Sequence, residues 1–360
     1  MSVKISALGL CLMMMAAACG CGSSHGSAGS HTTYLTLPGP QNKILGYSID
    51  NNSGALSALK GSPYNIFSNT PSAIVVSPSK QFAYVTNAGD NTISMFSIAA
   101  SGALTEVPPR TPTQQAPGSL AIDPGGTFLF CGNLNSNTVS VYSINSSSGV
   151  LAEITGSPFA AASPVHLTVS PSGKRLYVAQ ASTDTIAAFD IASSGVLAPV
   201  PGSPFPANLD PTWITIDPAE KFLYTSNFAS TTFTGFTIGA NGALTPVLGS
   251  PFTAGTHPSS LTLDTTGKYL YVANFGSNNL SAFSIDATTG IPTQITGSPY
   301  TTGTGPLYVV ADPTGKFLYV GDQGSGNVAG FVIDDSSGAL KATSQNTIST
   351  GATTSMFITK

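Results

Sequence analysis

Runs of four to seven apolar and β-branched residues, broken by clusters of Gly, Pro, Asn, Asp and Ser, recur from about residue 34 to the C-terminus. Runs of that length between turn formers read as strands. Beyond the first thirty residues nothing shows the 3.6-residue periodicity of a long helix. One run keeps returning: Phe82-Ala83-Tyr84-Val85, Phe128-Leu129-Phe130-Cys131, Leu176-Tyr177-Val178, Phe222-Leu223-Tyr224-Thr225, Tyr269-Leu270-Tyr271-Val272 and Phe317-Leu318-Tyr319-Val320. Its aromatic centres, Tyr84, Phe130, Tyr177, Tyr224, Tyr271 and Tyr319, stand 46, 47, 47, 47 and 48 residues apart. A proline keeps the same interval at Pro71, Pro117, Pro164, Pro211, Pro258 and Pro306. Two positions sharing one period establish an internal repeat.

Each unit reads as four short strands. The first follows the proline, the second carries the aromatic centre, the third begins after a polar turn such as residues 274–279, and a weaker fourth follows a turn such as Thr288-Thr289-Gly290. Four strands per 47-residue unit describe a propeller blade. The prolines define six complete units. Residues 34–59 supply strands two to four of another, and Ser355-Met356-Phe357-Ile358 falls where its first strand belongs. The expectation is an all-β, seven-bladed propeller whose last strand completes the first blade, which removes exposed sheet edges. An open solenoid would need capping units at both ends, and none is present.

The N-terminus adds a compartment. Lys4 precedes an apolar run over residues 7–18, too short to span a bilayer, and Ser and Gly dominate residues 20–30. This reads as an export signal. Ala16-Ala17-Ala18-Cys19 resembles a bacterial lipobox, with Ala16 where Leu is commonest and Cys21 as the alternative. The expected organisation is a signal over 1–18, a tether over 19–31 lipidated at Cys19, and a propeller over 32–360, held to the lipid bilayer of the cell envelope. Cys131 falls in a strand, and the absence of CxxC removes support for a thiolate metal site.

Composition narrows the partners. Charged residues make up only 8% of the chain and the net charge is −4, with Lys174-Arg175 the only adjacent basic pair. Nucleic acid is therefore not an expected partner. No P-loop, H-E-x-x-H or G-x-S-x-G element occurs, and no cofactor or metal is implied. Gly-Ser-Pro-Phe/Tyr, starting at Gly61, Gly156, Gly202, Gly249 and Gly297, reads as a repeated turn. Asp123, Asp217, Asp264 and Asp312 read as turn formers between strands one and two.

Tyr84-Val85-Thr86-Asn87 resembles the YVTN-repeat propellers, and the whole unit is similar to the lactonase-type seven-bladed propellers, which include 6-phosphogluconolactonases and muconate-lactonising enzymes. The resemblance covers about residues 32–360 and implies a site at one channel mouth. Candidates there are Arg110, Gln114, His166, Gln180, Asp184, Asp210, Trp213 and His257. Ser163-Pro164-Val165-His166 matches the family's Pro-x-His element, which implies a base at His166, with Asp184 beside it. The next blade departs from the family pattern of Pro-Arg-His followed by Asn-Glu. It has Pro211-Thr212-Trp213 and Asn227-Phe228, and Gln180 stands where Asp is frequent. Losing the arginine argues against a phosphorylated substrate. Trp213, the only tryptophan, suits either a flat ligand face or inter-blade packing.

Two functions follow. One is an envelope-anchored binding or scaffold propeller presenting its mouth to a glycan or an envelope protein. The other is a hydrolase acting on a small neutral lactone.

Overall fold

A computed structural model describes residues 31–38 and 42–359. The expected export signal, Cys19, Cys21 and nearly all of the expected tether lie outside the described residues. The chain forms seven antiparallel sheets arranged as a closed ring. Blades 2 to 7 open at the six repeat prolines. Blade 3 is typical, with strands Pro117–Ile122, Phe128–Asn133, Thr138–Ile144 and Leu151–Glu153. Blade 1 joins both ends of the described chain. It contains His31–Leu37, Lys43–Ile49, Leu56–Ala58 and, as its innermost strand, Ser355–Ile358. The closing pair runs from Thr33↔Ile358 to Thr36↔Ser355.

The repeated tyrosine owes its place to the ring. Fully buried, it reaches past its own blade and donates its hydroxyl to a glycine carbonyl in the strand three-to-four turn of the next. The bonds are Tyr34 to Gly102 (2.7 Å), Tyr84 to Gly149 (2.7 Å), Tyr177 to Gly242 (3.2 Å), Tyr224 to Gly290 (2.7 Å) and Tyr271 to Gly338 (2.9 Å). Tyr319 to Gly54 (2.8 Å) carries the series from blade 7 back to blade 1. Blade 3 has Phe130 instead and cannot make this bond. The receiving glycines have positive φ, 70° at Gly54 and 73° at Gly149, and a Cβ on Gly149 would press into the Phe82 ring at 2.5 Å.

The Gly-Ser-Pro turn explains a departure from four simple strands. In blades 1 and 3 to 6 it splits the outer strand into two short pieces that both pair with strand three, as Leu151–Glu153 and Phe159–Ala160 do. Blades 2 and 7 lack the turn, and their outer strands run unbroken as Leu104–Pro112 and Leu340–Ser349. Each turn serine accepts a strand-three N–H: Ser157 from Val141 at 3.0 Å, Ser203 from Ala188 at 2.9 Å and Ser250 from Gly235 at 3.0 Å. These serines are structural. So are the turn aspartates: Asp217 Oδ1 accepts from Lys221 and Phe222 N, and Asp312 Oδ1 from Phe317 N. Cys131 is a buried free thiol whose pKa burial raises well above the ordinary range.

Candidate functional site

First strands touch their counterparts in neighbouring blades around the central axis. Each starts at the repeat proline, which pairs with the last residue of strand two: Pro117 with Asn133, Pro164 with Gln180, Pro211 with Asn227. These ends define one mouth of the channel. The residue before each proline has positive φ: Thr70, Ala116, Ser163, Asp210, His257 and Gly305. Asp210 and His257 therefore occupy a recurring turn position, and their carbonyls accept from Phe228 N (2.8 Å) and Phe275 N (2.9 Å).

His166 lies in the innermost strand of blade 4, Pro164–Val169, and is partly exposed. Its Nδ1 accepts the Ile214 N–H of blade 5 at 3.2 Å. The same bond recurs elsewhere with serine: Leu167 N donates to Ser119 Oγ at 3.1 Å, and Val309 N to Ser260 Oγ at 2.8 Å. His166 thus fills an inter-blade stitching position that serine fills in blades 3 and 6. Desolvation lowers its pKa to about 3, so the ring is neutral at ordinary pH. An N–H donated to Nδ1 fixes the proton on Nε2. Trp213 of blade 5 stacks on the imidazole, with centroids 4.0 Å apart and planes 26° apart, and its far side packs on the blade 5–6 core. These contacts are the inter-blade packing of the two sequence readings of Trp213.

Asp184 has αL geometry after a short 3₁₀ turn, and its Oδ1 accepts the Asp210 N–H at 2.8 Å. Asparagine does this in other blades: Asn91 for Ala116 N (2.8 Å), Asn137 for Ser163 N (2.7 Å) and Asn278 for Gly305 N (2.8 Å). Gln180 is buried at the end of strand two, and its Oε1 accepts from Thr185 Oγ1 at 2.9 Å. His166, Gln180, Asp184, Asp210 and Trp213 gather at the blade 4–5 junction, but the polar atoms of the first three mainly bind protein.

Arg110 stands apart. It lies in the outer strand Leu104–Pro112, not in a loop entering strand one. Its Nε pairs with Glu106 at 2.9 Å and its Nη2 donates to Phe67 O at 2.6 Å. Gln114 is exposed in the following connection. His257 is exposed and stacks on Phe228 at 5.3 Å, and Phe228 meets Phe275 at 5.9 Å. This aromatic ridge over blades 5 and 6 was not anticipated from sequence. Its signal was a bulky residue directly after the strand-two asparagine, at Phe228 and Phe275. Thr212, in the family's arginine position, donates its hydroxyl to Ser259 O at 3.0 Å and serves inter-blade bonding.

A closed ring of seven antiparallel blades defines a seven-bladed β-propeller. The chain belongs to the family described as "Lactonase, 7-bladed beta-propeller", whose model matches residues 40–168, 157–249 and 243–357. Among solved structures it is similar to a candidate 6-phosphogluconolactonase from Bacteroides fragilis, with 20% identity, TM-score 0.81 and coverage of 94% of this chain and 100% of that one. It is also similar to the periplasmic gluconolactonase of Pseudomonas aeruginosa, with 18% identity, TM-score 0.77 and coverage of 92% and 99%. At these identities the likeness establishes the fold. A search of curated proteins found no match.

Proposed function

We propose that this propeller binds and hydrolyses a neutral lactone at the mouth between blades 4 and 5. The observation that carries the reading is the fixed, neutral imidazole of His166. With Nδ1 held by Ile214 N–H, the proton sits on Nε2, from which it can be donated to the lactone carbonyl oxygen. Trp213 stacks on the imidazole and holds its plane. Water attacks the carbonyl carbon, the ring C–O bond breaks, and the proton lost by water ends on the released alkoxide. Nothing here favours phosphate, since Thr212 replaces the family's arginine and Arg110 is committed to Glu106. As part of the same proposal the protein is exported and lipid-anchored at Cys19, so the chemistry takes place in the cell envelope.

One observation favours the second reading, a binding propeller for a glycan or an envelope protein. His166 Nδ1 and Asp184 Oδ1 each already accept a backbone N–H, so neither atom is free to take a proton from water. A pH-stat assay on neutral, phosphorylated and muconate-type lactones separates the two. His166→Ser is the informative variant, because serine retains the inter-blade bond in blades 3 and 6. Turnover of a neutral lactone that falls at least tenfold in the variant supports the hydrolase. No turnover by folded protein on any lactone favours the binding propeller.

A further inference from the structure

The last residue of strand two is a buried amide in most blades, and its Nδ2 donates across to strand three. Asn87 donates to Thr92 and Ser94, Asn133 to Thr138 and Ser140, and Asn227 to Thr232 and Thr234, all at 3.0–3.2 Å. Asn274 of blade 6 donates to Asn279 Oδ1 at 2.8 Å and Ser281 Oγ at 2.9 Å, and its own Oδ1 accepts Gly255 N at 2.9 Å. Blade 7 breaks the series. Asp322 takes the amide's place, directly paired with Asn327, and Ala329 stands where blade 6 has Ser281.

An ionised aspartate has no proton to give. Asp322 is 1% exposed, and no hydrogen bond of good geometry reaches its carboxyl oxygens, although Gly303 N and the Thr302 hydroxyl lie close enough to act on the carboxylate; Asn327 Oδ1 is buried without a donor. Buried acceptors left unpaired are costly, and an ionised one more so. One proton on Asp322 restores the missing donor with the shape of the asparagine in blade 6.

We infer that Asp322 is a neutral carboxylic acid in the folded protein at mildly acidic pH, donating its proton to Asn327 Oδ1, and that blade 7's edge of the mouth is locked by this proton and loosens when it is lost. Burial raises the carboxyl to about 6, against weaker opposing contributions from Gly303 N and the Thr302 hydroxyl. Tyr308, from the first strand of the same blade, is the titratable group whose field Asp322 shares, and Tyr47 of blade 1 lies beyond it. Both are neutral tyrosines in this pH range. Asn327 on strand three and residues 302–305 bring no charge, and no lysine or arginine contributes to the shift. The segment affected connects blades 6 and 7. It is otherwise held by Gly305 N to Asn278 Oδ1 (2.8 Å), Gln323 N to Gly305 O (2.9 Å) and Gly326 N to Asp322 O (2.8 Å).

The raised carboxyl fixes the sign. The bond contributes fully below the unfolded-state value of 3.8 and is lost as pH rises through about 6. The test is Asp322→Asn, which restores the residue used in four other blades and donates at every pH. Denaturant unfolding of both proteins between pH 4 and 8 should show near-equal stability at the acid end. The folding constant of the wild type should then fall relative to the variant by up to about tenfold per pH unit until about pH 6 and stay level above it. A carboxylic C=O infrared band present in the wild type at pH 5 and missing in the variant is the direct signature. Parallel stability profiles, or an Asp322 carboxylate already ionised at pH 5, would overturn the inference. Neither result depends on whether the mouth binds a lactone.

Discussion

Replacing Tyr84 by Phe removes one oxygen from a fully buried side chain and leaves its packing intact. The oxygen's partner, Gly149 O at 2.7 Å, lies in the next blade, 65 residues along the chain. Without the hydroxyl, a buried carbonyl loses its donor, at a cost of about 1–3 kcal/mol. The entropy of unfolding is about 2 cal/mol/K per residue, so a domain of ~330 residues should melt roughly 1.5–4 °C lower. Blade 3 offers the reverse experiment. Phe130 occupies the tyrosine position, and Gly195 has the same turn conformation as Gly149, φ 84° against 73°. Phe130→Tyr should therefore supply the missing bond and raise the melting temperature by about 1–2 °C for a net gain near 1 kcal/mol. Calorimetry of the two single variants decides the matter. Opposite shifts are expected. Two shifts of the same sign would refute the reading that the tyrosine serves as an inter-blade tie.

Three further outcomes follow, two of them at the mouth. His166 is neutral in the folded protein, with a pKa of about 3 against 6.5 when unfolded, so its stabilising contribution is complete above pH 6.5 and declines as the pH falls toward 3. Relative to His166→Ser, the wild type should lose up to about 1.4 kcal/mol per pH unit across that window, measurable by denaturant titration at pH 4 to 7. Asp184→Asn should keep stability and any turnover within about twofold, because asparagine makes the same bond in three other blades, while Asp184→Ala should cost about 1 kcal/mol. Cys19→Ala should abolish incorporation of labelled fatty acid into the full-length protein expressed in a bacterial host, and retained label would point to Cys21.

The repeat made the fold legible, because blade packing imposes one period on two unrelated positions. Tyr84 and its counterparts keep their spacing since each ties one blade to the next. The prolines keep theirs since each opens an innermost strand. Complementary half-units at the two ends announced the closure that Thr33↔Ile358 and Thr36↔Ser355 make. The split outer strand was not foreseen, although the Gly-Ser-Pro turns that cause it were visible. The candidate site was legible only as a neighbourhood. His166 and Asp184 were singled out for their chemistry, yet their bonds belong to series also made by Ser119, Ser260, Asn91, Asn137 and Asn278. A residue-type list cannot show that a histidine nitrogen stands in for a serine oxygen, because the bond joins positions 48 residues apart. Arg110 was misplaced because blade 2 lacks the Gly-Ser-Pro turn, which lets its outer strand run on through that residue. Asp322 carries no motif of its own in the sequence. Its distinction is a missing donor, which appears only when its partner Asn327 is identified.

The central claim is that His166 is a fixed neutral imidazole presenting Nε2–H at the mouth. Nitrogen-15 NMR of the imidazoles, with His166→Ser assigning the signal, tests it directly. An Nε2–H tautomer that does not titrate between pH 5 and 8, with a signal that shifts when a neutral lactone is added, is the expected result. An Nδ1–H tautomer, or titration near pH 6.5, would contradict it.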